Sequence, residues 1–374
     1  MAAHALAPTP LCRRLGVALP IVQAPMAGGW TTPALVAAVS NAGGLGMLAG
    51  ARISAEALRT QVEAVRALTD RPFGVNFLLA PPDPAPHDTA AVQGALDLGR
   101  ARLGLPRGPA LPSLPASPLH EQLAYVCEVK IPVVGFAMGD PAPFVARLKE
   151  YGGFVIAMAC SVDDALRLEA GGVDAIVAQG SEAGGHRSLL EAPAGAEAPL
   201  IGTLALVPQV VDAVGVPVIA AGGIMDGRGV FAALSLGAQA AQLGTRFLLA
   251  RESNAFPAYR RRLCEARETD AVMTLAISGR PARALRNELI RALDDAGARP
   301  LSWPYQALAA DDVYRAAVAA DDADWAPLLA GQGLRLARGE ASAAEIIEKL
   351  VAGVIAARER WIAATADGGE SDAK

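Results

Sequence analysis

Aromatic residues are scarce in this 374-residue chain, at 5% of positions, and lysine and arginine nowhere gather into a long run or an aromatic-laced basic stripe. The second absence removes the electrostatic footprint of a nucleic-acid binder, and the formal net charge of -5 agrees. Cysteines are few: Cys12, Cys127, Cys160 and Cys264 lie far apart, without CxxC or Cys/His metal spacing. They read as isolated, reduced thiols, which implies a cytoplasmic address and no metal site. The chain does not open with the charged segment and continuous apolar run of a secretory signal. Its most apolar long stretch, 230–250, contains Gln239, Gln242, Thr245 and Arg246, which argues against a membrane span. The expectation is a soluble protein that meets neither nucleic acid nor membrane, with its oligomeric state left open.

Small aliphatics are abundant. Hydrophobic residues reach 52%, mostly Ala, Val and Leu, and a core built from them suits a parallel sheet wrapped in helices. Short β-branched runs alternate with Ala/Leu-rich segments of helical period, the βαβα pattern. Eight strands are predicted, at 21–24, 45–48, 73–77, 132–136, 154–157, 175–178, 218–221 and 240–243. Eight parallel strands close a (β/α)₈ barrel, so the expected fold is an α/β TIM barrel with a helical cap after it. Thr32-Pro33 and Ser54 with Glu56 mark the first two helix starts, and Leu58, Val62, Val65 and Leu68 form the buried face of the second helix.

Two regions break the rhythm. From Pro81 to Pro118 there are nine prolines and little periodic hydrophobicity, which reads as a long loop after the third strand. After Arg251 helical patterns take over, at 259–267, 283–296, 311–320 and 343–364. The expected division is a barrel over 1–250, a cap over 251–340, a helix docking back on the barrel over 341–366, and a disordered tail from Asp367.

Chemistry concentrates in four glycine-bearing turns, two of them on adjacent strands and read together. Gly222-Gly223-Ile224-Met225-Asp226-Gly227 follows strand seven and precedes a helix, while strand eight ends in Gln242-Leu243-Gly244-Thr245-Arg246. Glycines there let backbone N–H groups approach an anion, the helix N-terminus adds a favourable dipole, and Thr245 adds a hydroxyl donor. Barrels of this type recurrently hold phosphate after strands seven and eight.

The third turn, Gln179-Gly180-Ser181-Glu182-Ala183-Gly184-Gly185-His186-Arg187-Ser188, follows strand six. Of the four histidines, His4, His87 and His120 fall in the terminus or the proline-rich loop. His186 sits on a glycine loop at the catalytic face, where an imidazole suits proton abstraction near neutral pH. Glu182 and Arg187 read as solvated loop charges.

The fourth turn, Gln23-Ala24-Pro25-Met26-Ala27-Gly28-Gly29, ends strand one and offers apolar surface for a flat ring. Asn76 and Gln179 can donate to and accept from the edge of that ring. Gly44-Leu45-Gly46-Met47-Leu48-Ala49 fits GxGxxA but contains a strand instead of following one, so a dinucleotide site is rejected there.

At these motifs the chain resembles the nitronate monooxygenases, formerly called 2-nitropropane dioxygenases, in their bacterial class I. The matching stretches are QAPMAGG, NAGGLG, FGVNF, QGSEAGGHRS, AAGGIMDGRG and QLGTRF, with Pro304-Tyr305-Gln306 and Ala330-Gly331-Gln332-Gly333 looking like the class I C-terminal motif. The resemblance implies FMN contacted by Asn76, Gln179, Gly184, Gly222, Gly223 and Gln242 through Thr245 (with Leu243 and Gly244), and Ala24, Pro25 and Met26 beside its ring. It implies His186 near the substrate, as general base toward a neutral nitroalkane or as anion binder toward a preformed nitronate. FMN would take an electron and O₂ would consume the resulting radical, with propionate 3-nitronate as natural substrate and a role in detoxification. Two other classes stay open: an NAD(P)H-dependent flavin reductase of enoyl thioesters or quinones on the same barrel, and a flavin-free barrel lyase holding a phosphorylated substrate. The lyase would need a lysine or a carboxylate pair at the strand ends.

Overall fold

The computed structural model describes residues 6–86, 88–108, 113–191, 198–337 and 339–366. The tail from Asp367, His4 and His87 lie outside the described residues. Eight parallel strands form one sheet: β1 (Ile21–Gln23), β2 (Gly46–Ala49), β3 (Phe73–Leu78), β4 (Val133–Ala137), β5 (Phe154–Ala159), β6 (Ala175–Gln179), β8 (Val218–Ala221) and β9 (Ala240–Leu243). A parallel bridge between Val22 and Leu45, with the Leu45 N–H donating to the Ile21 carbonyl at 2.9 Å, joins the two ends of the sheet and closes the barrel.

The strands are largely apolar because both of their faces are buried, with Gln23, Asn76, Gln179 and Gln242 as the polar exceptions. Along β6, Ala175 and Val177 belong to the interior cluster with Val22, Met47, Ile156 and Ile219, while Ile176 and Ala178 pack outward beneath the helices. The same outward layer takes Leu58, Val62 and Val65 of the helix Ala55–Leu68, whereas Leu68, expected on the buried face, is 53% exposed. A short helix, Pro10–Leu15, inserts Leu11 and Leu15 into the interior cluster and is tied to the start of β9, where the Leu11 N–H donates to Gln239 Oε1 at 2.9 Å. That closes the N-terminal end of the barrel. In the GxGxxA segment Gly46 serves packing, since a Cβ there would sit 2.3 Å from the Val36 carbonyl oxygen of the neighbouring helix.

The chain leaves the barrel at Arg251 and returns at Ala341, where the Arg251 N–H donates to the Ala341 carbonyl at 2.8 Å. The intervening segment builds a second core around Tyr259, Leu289, Ile290, Val313 and Trp325. The final helix, Ala343–Ala366, then packs Ile346, Leu350 and Val354 into the outer barrel layer.

Two expectations fail here. The segment 81–118 is not one long loop: it contains the helix Ala90–Leu103, whose Val92, Ala95 and Leu96 join the second core. The prolines cluster at 81–86 and 106–118 and leave the middle free to coil. The predicted helix 283–296 is a strand and then a helix. Residues 282–285 form β11 (Ala282–Leu285), antiparallel both to β10 (Ala271–Thr274) and to a two-residue strand, β7 (Gly185–His186), and the helix proper is Glu288–Asp295.

Candidate active site

A cavity of about 1340 Å³ opens at the C-terminal ends of the strands beneath the cap. It is lined by Ala24, Pro25, Met26, Asn76, Gln179, Gly184, His186, Gly222, Gly223, Gln242, Gly244 and Thr245, so twelve of the thirteen positions singled out from sequence meet in one cavity. Leu243 does not join them. Its side chain, 1% exposed, points outward into the helix layer, and its carbonyl accepts from the Ala24 N–H at 2.9 Å.

The glycine turns form a cradle. Gly222 and Gly223 have φ of 120° and 68°, and among the described residues no hydrogen bond engages the N–H of Gly223 or Thr245. The Gly331 N–H donates to Thr245 Oγ1 at 3.0 Å, which leaves the threonine's own proton free to donate into the cavity. Gly184 permits the cap segment to cross here, since a Cβ would lie 2.5 Å from the Ala330 carbonyl carbon. The expected contribution of the helix Gly227–Ser235 is absent. Asp226 caps its first turn by accepting from the Arg228 N–H at 3.0 Å, and Gly227 is packed against Gly353, so that N-terminus is closed off from the cavity.

Three buried arginines do not themselves line the cavity. Arg187, Arg246 and Arg283 are all at least nine-tenths buried, and their guanidiniums bond to backbone carbonyls: Gly180 and Gln179 for Arg187, Gly339 for Arg246, Ser181 and Ala271 for Arg283. None has an ion pair among the described residues, and among them Arg187 Nε has no hydrogen-bond partner. Buried cations without carboxylates are costly unless an anion comes near, and burial pushes the Arg246 and Arg283 guanidiniums down from their ordinary range. The reading of Arg187 as a solvated charge is thereby corrected. Glu182 is not idle either: it accepts from the backbone N–H and hydroxyl of Thr203 at 2.8 to 3.0 Å, capping the helix Thr203–Ala213.

His186 is fixed from three sides. Its backbone pairs with Ala282 in the cap sheet, Gln179 Nε2 donates to its carbonyl at 2.9 Å, and its Nε2 lies 2.6 Å from Ser278 Oγ. The ring also meets Trp303 edge-on, with centroids 5.6 Å apart. Burial, then the positive charges of Arg52 and Arg280, lower its pKa to about 4, so the imidazole is neutral at physiological pH. Gln179 serves chiefly to build the site: its Oε1 accepts from the Ser188 N–H and the Cys160 thiol, each at 3.0 Å. Asn76 and Gln242 stay available. The Asn76 amide makes one long contact, 3.4 Å to the Phe77 carbonyl, and the Gln242 amide has no partner among the described residues, so both can serve the polar edge of a planar ligand.

Sequence reasoning missed Ser278, Trp303, Tyr314 and Arg52, which line the same cavity from the cap or from the turn after β2. None lies in a glycine motif, and only folding brings them to the barrel mouth. Among the described residues no lysine lines the cavity, and its one carboxylate, Asp311, is paired with Arg52 and Arg315. Among the described lining residues the lysine or carboxylate pair that the lyase class would need is not found.

Fold and site together define a (β/α)₈ barrel with glycine turns after its last two strands and a neutral histidine lining the same cavity. The model of the nitronate monooxygenase family matches residues 12–353, and the chain belongs to that family of oxidoreductases. It is 39% identical over 340 residues to a probable nitronate monooxygenase of Staphylococcus saprophyticus, covering 90% of this chain and 95% of that one. Among solved structures it is similar to a nitroalkane oxidase from Streptomyces ansochromogenes, at TM-score 0.86 and 38% identity over 92% of this chain and 98% of that one. FabK from Thermotoga maritima is also similar, with TM-score 0.77 and 32% identity over 96% and 99% of the two chains. No described helix is long and apolar enough to cross a membrane.

Proposed function

We propose that this chain binds FMN and oxidises alkyl nitronates with O₂ to a carbonyl product and nitrite or nitrate, propionate 3-nitronate being the substrate we favour. The observation that carries the reading is the pairing, in one cavity, of a cradle suited to a terminal phosphate with a neutral imidazole. Gly222, Gly223, Gly244 and Thr245 would hold the phosphate, Asn76 and Gln242 the polar edge of the ring, and Ala24, Pro25 and Met26 its apolar face. One cradle without a dinucleotide fingerprint favours FMN over FAD. When bound, the flavin supplies the electron acceptor that the protein's own side chains lack.

The protein's part is to bind and orient the substrate. His186, neutral and held by Ser278 and Gln179, has the protonation state that a base needs toward a neutral nitroalkane. Toward a preformed nitronate, which has no proton left to lose, the same ring would serve as a hydrogen-bond partner. Trp303 meets the ring edge-on from the cap and lines the cavity beside it.

The test is oxygen consumption by flavin-loaded enzyme on ethane nitronate, propane-2-nitronate and propionate 3-nitronate, with NADH offered separately. Nitronate-dependent uptake with nitrite formation supports the proposal. Rapid NADH oxidation without nitronate turnover would move the chain to the reductase class.

A further inference from the structure

The charged groups on the cavity wall are unbalanced. Among its described lining residues the only permanently charged side chains are Arg52, Arg315 and Asp311: two guanidiniums against one carboxylate. Asp311 bonds Arg52 at 3.0 Å and Arg315 at 2.9 Å, so neither cation has a carboxylate of its own.

Arg52 differs from Arg315 in how it is presented. Its φ of 63° lies in the left-handed region, where a residue other than glycine persists only if its surroundings hold it. The clamp is Gln122, 2% exposed, whose Nε2 donates to the carbonyls of Gly50 and Ile53 on either side of the turn, both at 2.9 Å. A buried amide thus fixes the backbone that carries the cation, while the side chain stays about half exposed at the cavity. Arg315, by contrast, stands on the helix Asp311–Ala319 with its side chain 77% exposed.

We propose that Arg52 is the anion receptor of this site, taking an oxygen of the nitronate substrate in place of, or shared with, Asp311. The inference rests on the proposed nitronate reaction and names the residue that selects an anion over its neutral parent. Arg52 and His186 line the same cavity, and the positive charge of Arg52 helps keep the imidazole uncharged. Arg280, the other cation felt at His186, is tied to Asp83 at 3.3 Å and does not line the cavity.

Asp311 gives the proposal its test. A latch between barrel and cap is weakened alike by Arg52→Met and Asp311→Asn, whereas an anion receptor moves in opposite directions in the two variants. Flavin-loaded wild type and variants are titrated with sodium nitrite by calorimetry, and KM for propane-2-nitronate is measured alongside. Arg52→Met is expected to weaken nitrite binding and raise this KM by about tenfold or more with kcat changed far less, and Arg52→Lys to restore part of the loss. Asp311→Asn is expected to tighten nitrite binding and lower KM. Equal losses in Arg52→Met and Asp311→Asn, or an Arg52→Met variant that binds nitrite like wild type, overturn the proposal. A wild type that turns over no nitronate, yet shows opposite shifts in nitrite binding, removes the reaction and keeps the anion site.

Discussion

His186 Nε2 stands 2.6 Å from Ser278 Oγ, which joins a barrel loop to a cap residue 92 positions later in the chain. The hydroxyl selects the orientation of the imidazole, and with Gln179 on the backbone it leaves the ring little freedom. Ser278→Ala should lower nitronate turnover by roughly tenfold, the worth of one net hydrogen bond of about 1 to 1.5 kcal/mol, without loss of flavin. Steady-state kinetics on the flavin-loaded variant decide it, and unchanged kcat and KM would remove Ser278 from the site.

Supplying substrate in two protonation states separates the roles of His186. If the imidazole abstracts the α-proton, His186→Asn loses roughly 10² to 10⁴-fold on a neutral nitroalkane while activity on the preformed nitronate largely survives. A variant with wild-type rates on both forms would show that His186 takes no part in catalysis.

The acidity of His186 sets a pH signature. Its pKa is lowered from 6.5 to about 4, first by burial and then by Arg52 and Arg280, so the neutral base prevails down to that value. The acid limb of kcat/KM on a neutral nitroalkane is expected near pH 4 and not near 6.5. The same shift links to folding: between 6.5 and 4 the unfolded chain takes up the proton before the native one, so this group costs stability as pH falls through that window and costs nothing above it. Acid unfolding of His186→Asn should lack this contribution, and an acid limb at 6.5 in the wild type would contradict the burial of the ring.

The cradle predicts flavin retention. Thr245→Val removes a hydroxyl donor to a charged group, worth roughly 1.5 to 3 kcal/mol, and so weakens FMN binding by about ten- to hundredfold. Gly223→Val places a branched side chain at φ 68° and blocks the backbone from the phosphate as well. Equilibrium flavin titration checks both, and wild-type affinity in the pair would withdraw the phosphate assignment.

Gly99 tests the docking of the cap on the helix Ala90–Leu103. A Cβ there would lie 2.3 Å from the Trp325 ring, so Gly99→Ala should lose about 1 to 3 kcal/mol to overpacking. Removing a helix glycine returns only about 0.5 to 1 kcal/mol, and the melting temperature should fall. A rise would mean that helix and cap separate freely.

What the sequence determined by itself is the barrel and its cradle, because those signals are local. A strand buried on both faces reads as a largely apolar run, and a backbone that turns tightly or is closely approached by another segment favours glycine, so β1 to β6, β8, β9 and the turns at 184, 222 and 244 are legible without a structure. The helix at 90–103 was hidden because prolines on both sides dominate the composition of the stretch. Leu243 was misplaced because its neighbours in sequence face the cavity and its own strand position faces out. Tertiary structure alone decided that Ser278 and Trp303 meet His186, that Arg52 shares Asp311 with Arg315, and that Arg187 is buried. The contacts of His186 with Ser278 and of Arg52 with Asp311 cross 92 and 259 residues, and the burial of Arg187 depends on which face a loop presents, so no local pattern encodes them.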